Sequence, residues 1–279
     1  MALEDKELKL QLIRTYNDYL VEWVSPAPER FVLVASLPFW DIEESIREMT
    51  RCRELGFRGA LWAATLNRHG LPQFYDSHWD RFYAAAQDLG MSINFHVGVG
   101  STAGDREVSQ NAPKSDVGDF AYRTSIGFLS NARTIAKLIT FGVCHRFPNL
   151  PFVSVESGFG YVPYLIEALD WQWSHMHGPT RMPDRLMPSE YFRRQIYTTF
   201  WFEQSTLAQL PDWADNVMFE TDYPHNTCLI PGSQLAPAPN QVVAQHIERF
   251  GEELMSKVLY KNAARVYRIE NVSPSGGNR

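Results

Sequence analysis

The sequence predicts an α/β protein built on a parallel sheet. Six short apolar runs alternate with amphipathic helical segments along the chain. The runs are nearly continuous in apolar residues, as strands buried on both faces are. No internal repeat or low-complexity segment interrupts the alternation. A doubly wound sheet and a β/α barrel both satisfy this pattern. The phosphate loop of a dinucleotide fold is missing, because GVGSTAG (98–104) does not match G-x-G-x-x-G with a helix directly behind it.

The first helix is expected over residues 5–24, with Leu12, Ile13, Tyr16, Leu20, Trp23 and Val24 on one face. Pro26 and Pro28 end it. Residues 31–39 read as a buried strand. Asp41 reads as an N-cap and Glu44 as its capping-box partner. Ile42, Ile46, Met49 and Leu55 form the stripe of the next helix, which Gly56 stops. Strand 57–65 follows, then a helix over 76–89 carrying Trp79, Phe82, Tyr83, Ala86 and Leu89, closed by Gly90. Strand 91–97 leads into a Gly/Ser/Asp-rich stretch, 98–120, long enough to be a lid or binding loop. A helix over 124–146, a strand over 151–157, a helix over 162–175 and a Pro-containing loop over 178–188 come next. Residues 191–203 pass from helix into strand, and 216–222 is the last strand. Helices over 240–250 and 252–267 complete a single domain spanning 1–270, and 271–279 is expected to fray.

The chain has 279 residues and a formal charge of −6, with 44% hydrophobic and 21% charged residues. That composition excludes a disordered chain, a collagen and a coiled coil. No Lys/Arg-rich run offers a nucleic-acid surface. The longest apolar stretch, 31–40, is ten residues and contains Pro38, where a membrane span needs about 20. The first twelve residues, MALEDKELKLQL, are charged and lack the apolar core of a secretory signal. Cys52, Cys144 and Cys228 show no CxxC spacing, which fits free thiols in a reducing, cytoplasmic setting.

Chemistry in a β/α barrel sits at the C-terminal ends of the strands. The polar residues there are Asn94 and His96, Glu156 and Ser157, Glu203, and Asp222 with His225 just beyond. Neutral imidazole and carboxylate at the mouths of two different strands are what a divalent metal needs, so His96 and Asp222 are the candidate ligands. Glu156 is a candidate ligand, base or orienting group. Each also has a plainer reading: His96 as a satisfied strand-end residue, Asp222 as a turn starter, Glu156 as a helix-terminus carboxylate. His69 and His78 lie in or beside a loop, and His145 suits a helix C-terminus. The His175/His177 pair falls at a helix end, and His246 reads as a surface residue. Trp171 and Trp173 read as packing.

The segments FYDSHWDRFYAAAQDLGMSINFHVG, RFPNLPFVSVESGFGYVPYLIEALDWQW, YFRRQIYTTFWFE, NVMFETDYPH and KNAARVYRI resemble, in that order, the amidohydrolase-related family of metal-dependent hydrolases. The resemblance is to its aminocarboxymuconate-semialdehyde decarboxylase branch and covers residues 12–269. It implies a (β/α)8 TIM-barrel-like fold with a divalent metal, usually zinc, with manganese as the alternative. It implies His96 as a metal ligand and Asp222 as ligand or catalytic carboxylate, with Glu156 in the ESG variant of the strand-six motif as a further catalytic residue. Trp62, Asn94 and His225 are the candidate substrate-binding residues.

The family's N-terminal strand with His-x-His or Glu-x-His is missing from this chain, so the barrel is expected to be incomplete, with strands three to eight present. The expected function is a carboxy-lyase for a small aromatic or unsaturated carboxylic acid, with the 98–120 loop closing the site. Hydrolysis of an ester, lactone or amide uses the same ion and carboxylate and is the alternative. A non-catalytic binding or oligomerising module is the second alternative. Exposed sheet edges predict self-association into a homo-oligomer. No nucleic-acid or membrane partner is expected.

Overall fold

A computed structural model describes residues 4–97, 116–225, 227–230 and 237–270. Helix α1 (Lys6–Val24) begins where the Asp5 carboxylate accepts from the backbone N–H of Glu7 (2.9 Å) and Leu8 (3.0 Å). This satisfies two of the donors a helix start leaves unpaired. Its buried face is rotated from the expected one. Ile13, Asn17 and Val24 are buried, whereas Leu12, Tyr16 and Trp23 stay more than half exposed.

Strand β1 (Val34–Ala35) is far shorter than its apolar run. Phe31 and Val32 are exposed, and Pro38 has no N–H to donate to a ladder. Helix α2 (Ile42–Glu54) is capped by Asp41, which accepts from Glu44 N at 3.0 Å. The return bond of the expected capping box does not form, because Arg14 and Arg47 take the Glu44 carboxylate. Strand β2 (Gly59–Leu61), helix α3 (Asp80–Leu89) and strand β3 (Ser92–His96) follow. Gly90, at φ +66°, stops α3 as expected. Residues 98–115 of the expected lid lie outside the described residues, and its last five residues already belong to helix α4 (Asp116–Thr140). Gly142, at φ +80°, separates α4 from α5 (Val143–Arg146) and breaks what reads as one helix.

Strand β4 (Phe152–Val155), helices α6 (Val162–His175), α7 (Gly178–Arg181) and α8 (Pro188–Gln195), and strand β5 (Ile196–Phe200) come next. They are followed by α9 (Leu210–Trp213), strand β6 (Val217–Phe219) and α10 (Pro239–Phe250). The last expected helix is α11 (Glu252–Ser256) and α12 (Asn262–Val266) joined by a π-helical turn over Lys257–Lys261. The expected tail, 271–279, lies outside the described residues.

The six strands pair in sequence order and every pairing is parallel. The two-residue period of a strand divides the sheet's faces. Ile93, Phe95, Phe152, Ile196, Phe200 and Val217 enter the main core beneath the helices. Val153, Tyr197 and Met218 point the other way, where Val266 and Tyr267 at the end of the chain's last helix pack on them. Tyr267 donates its hydroxyl to Asn94 Oδ1 at 2.7 Å from that side. Burying Val153 and Met218 there contributes about 1.5–3 kcal/mol each. This cover sits over the N-terminal half of the strands.

The outer strands carry a second device. Buried Asn17 donates to Ser36 O at 2.9 Å and accepts from Ser36 N at 3.0 Å just after β1. Buried Asn262 donates to Ala214 O at 2.6 Å and Val217 O at 2.8 Å beside β6. Each amide thus satisfies backbone groups that a neighbouring strand would otherwise satisfy.

His246 is not on the surface: it is buried against Phe200 and Phe250, because α10 turns that face onto β5. The three cysteines are buried and free, and burial pushes the Cys52 thiol up to about 12. Among the described residues no helix is long and apolar enough to cross a membrane.

Candidate metal centre

Four side chains meet at the C-terminal ends of the strands. His96 is the last residue of β3, and its Nδ1 lies 2.5 Å from Val97 O. Its Nε2 lies 2.6 Å from Glu156 Oε2. Glu156 is the first residue after β4, the strand paired with β3 in the register His96–Val155. Glu156 Oε1 lies 3.4 Å from His225 Nδ1, which is 2.9 Å from Asp222 Oδ2. Thr227 donates to the same Asp222 oxygen at 2.7 Å. The Glu156 and Asp222 side chains are 7% and 12% exposed, against 38% for His96 and 52% for His225. Carboxylates therefore form the floor of the site and imidazoles its rim.

Both carboxylates leave their strands in left-handed backbone, Glu156 at φ 53° and Asp222 at φ 57°. Asp tolerates this conformation. For Glu it costs on the order of 1–3 kcal/mol, a strain that clusters at functional sites. The surrounding loop over-determines it. Glu203, buried, accepts from Phe159 N at 2.5 Å, Gly160 N at 3.3 Å and Trp201 N at 3.2 Å. Burial raises the Glu203 pKa against the pull of those N–H groups. Gly158, at φ +73°, lies so close that a Cβ there would meet Glu203 Oε1 at 2.6 Å.

The donor set fits a cation. The Val97 carbonyl can only accept, so it assigns the proton of a neutral His96 to Nδ1. Nε2 then presents a lone pair to a carboxylate oxygen at 2.6 Å, too close for an ion on the line between them, so the pair needs a positive centre that is a proton or an ion set to one side. Without a metal that centre is a proton: the hydrogen bond to Glu156 raises the His96 pKa against the opposing effect of burial. Among the described residues Glu156, Asp222 and His225 form one group whose ligand atoms all lie within 4.8 Å of one another. His96 lies outside that group and touches it at Glu156.

One residue of the site is missed by sequence reading. Glu220, one position past β6, accepts from Thr199 Oγ1 at 2.6 Å and from Glu156 N at 3.4 Å. Burial pushes its carboxyl up to about 8. It shares a face with Met218 at the two-residue spacing, a signal that the apolar run hides. The structure does not bring Trp62 or Asn94 to the cluster. Trp62 stacks on Phe82 at 3.8 Å inside the core, on the opposite face of the sheet. Asn94 is buried, donating to Ala60 O and Ser92 and accepting from Tyr267. Its amide is spent on the fold. A cavity of about 760 Å³ lies at the other end of the sheet, lined by Pro151, Gln195 and Arg268, away from these groups.

The family model described as "Amidohydrolase" matches residues 2–269. The chain is 26% identical over 234 residues to a gamma-resorcylate decarboxylase of Rhizobium sp. (strain MTP-10005), covering 80% of this chain and 68% of that protein. It is 25% identical over 264 residues to the 2-amino-3-carboxymuconate-6-semialdehyde decarboxylase of Dictyostelium discoideum, covering 91% and 66%. The chain thus spans about two thirds of the length of these relatives. A crystal structure of a dihydroxybenzoic acid decarboxylase from Polaromonas sp. JS666, with bound manganese and the inhibitor 2-nitroresorcinol, superposes with a TM-score of 0.70 at 24% identity. It covers 96% of this chain and 78% of that one. At that identity the likeness shows the shared α/β fold alone.

Proposed function

The chain belongs to the amidohydrolase family, and from that premise we propose that it is a metal-dependent carboxy-lyase acting on a small aromatic carboxylic acid. One observation carries the reading: His96, Glu156, His225 and Asp222, from the ends of three strands, converge within hydrogen-bond range as a chain of metal donors. Relatives named as decarboxylases, one of the aromatic acid gamma-resorcylate and one of the unsaturated 2-amino-3-carboxymuconate-6-semialdehyde, support it.

Glu156, Asp222 and His225 Nδ1 would hold the ion, with His96 Nε2 joining them from beside Glu156, and the ion would be zinc, with manganese the alternative. A bound divalent cation would supply positive charge that fixes the substrate carboxylate at the site. Asp222 delivers a proton to the ring carbon that bears the carboxylate. The bond to the carboxylate then breaks, its electron pair returns to the ring and carbon dioxide leaves. Asp222 is reprotonated from water. The Val97 carbonyl holds the His96 imidazole in orientation through Nδ1, and Glu203 holds the loop that carries Glu156. We read the six-stranded sheet as strands three to eight of a (β/α)8 barrel, acting in the cytoplasm as a homo-oligomer.

The test is release of carbon dioxide from a panel of hydroxylated benzoic acids, run beside hydrolysis of lactones and esters, with zinc or manganese added. The reading expects stoichiometric carbon dioxide and arene. Lactone hydrolysis without carbon dioxide release would replace it with hydrolase chemistry. A second reading rests on the direct His96–Glu156 contact, which a proton alone can satisfy. It makes the chain a non-catalytic binding module, and it expects no turnover in either assay.

A further inference from the structure

The aromatic side chains beside the candidate metal centre form a wall that the proton-transfer chemistry does not use. Asn131 of α4 donates to Phe95 O at 3.1 Å and to Val155 O at 3.2 Å. This anchors α4 at the C-terminal ends of β3 and β4. Phe128, one turn nearer the start of α4, therefore stands above that end of the sheet. Its ring stacks on Phe202 with centroids 5.5 Å apart and planes 24° apart. The Trp201 ring meets both edge-on, at 5.5 Å from Phe128 and 4.7 Å from Phe202.

This trio is tied to both carboxylate-bearing loops. Trp201 Nε1 donates to Thr227 O at 3.2 Å, and Thr227 holds Asp222. Phe202 Cε1 would lie 3.6 Å from a Cβ at Gly158, two residues after Glu156. Trp201 is buried, yet Phe202 is 49% exposed. Phe202 is thus stacked on Phe128 on one face and open on the other, beside the loops that carry Glu156 and Asp222.

We infer that Phe202, backed by Phe128 and fixed by Trp201, is the ring-stacking wall that selects planar aromatic acids at this site. The inference rests on the carboxy-lyase reading, whose substrate is an aromatic carboxylate. With its carboxylate at the His96–Asp222 cluster, a benzoate ring lies against the open face of Phe202. A saturated ring of the same size gains only burial there. An aromatic ring gains the offset-stacked geometry as well.

The probes are benzoate and cyclohexanecarboxylate, titrated calorimetrically into the metal-loaded protein. Wild type binds benzoate more tightly. Phe202→Ala weakens benzoate binding roughly three- to tenfold more than it weakens cyclohexanecarboxylate. Phe202→Trp restores the preference, which separates stacking from mere filling of space. Circular dichroism of each variant confirms that it is folded. Equal losses for both acids, or no loss, overturn the inference. A wild type that decarboxylates aromatic acids while Phe202→Ala keeps the benzoate preference overturns this inference alone. A wild type that binds no aromatic acid at all overturns both the inference and the reading beneath it.

Discussion

Asp222 and Glu203 both serve the donor cluster, but the roles proposed for them predict different losses. Asp222→Asn keeps size and one acceptor oxygen while removing the proton carrier, so carbon dioxide release should fall by about 10²–10⁴ in kcat with a smaller change in KM. Steady-state kinetics on the best aromatic acid checks this, and an equal change in KM alone would make Asp222 a binding residue. Glu203→Gln should act through position. An amide offers one acceptor oxygen where the carboxylate uses both, so the Phe159, Gly160 and Trp201 N–H groups cannot all be satisfied. Metal affinity should drop about 10- to 100-fold, as for outer groups that orient ligands. Titration with zinc against a competing chelator reads that drop. At this scale much was legible. A polar residue that ends an apolar strand is conspicuous, so His96, Glu156, Asp222 and His225 stand out in the bare sequence. Asn94 shares the face of His96 and was misread because Tyr267 takes its amide oxygen. Glu220 was missed and Trp62 misread for one physical reason. When both faces of a strand are apolar, the alternation that reveals which side a residue takes is erased.

The order of helices and strands was legible at the level of elements, because caps and stops act locally. Asp41, Gly90 and the prolines act where the sequence has them. Strand lengths were not legible, since pairing depends on a neighbour and not on propensity: β1 keeps two residues of its apolar run. Nor was the inward turn of α10, which buries His246. Burial, with Arg249 nearby, lowers the His246 pKa from its ordinary 6.5. A lowered folded-state value means that His246 favours the folded chain above about pH 6.5 and that this contribution is lost as pH falls below it. Urea midpoints at pH 7.5 and 5.5 should differ in wild type, and His246→Leu should shrink that difference. An unchanged difference would show that other groups set the acid sensitivity. Asn262→Ala strips the donor from Ala214 O and Val217 O beside β6 and should cost about 1–3 kcal/mol in urea unfolding.

For the molecule as a whole, the parallel sheet and the metal centre are one design. Parallel pairing in sequence order brings every strand's C-terminal end to the same side, so residues 60 and more positions apart, such as His96 and Glu156 or Glu156 and His225, become neighbours. The last helix covers the N-terminal half of one face, which fixes which end of that face is free for chemistry. If the donor chain holds a cation, binding is linked to folding. Ligand at 100 times its Kd should add about 2.7 kcal/mol to stability. The most direct test is the metal content of the purified protein beside its His96→Ala and Asp222→Ala variants, measured by atomic emission. The account predicts one divalent ion per chain in the wild type and loss of that ion in both variants. Stoichiometric metal that survives both substitutions, or a wild type that takes up none from zinc or manganese buffer, would contradict it.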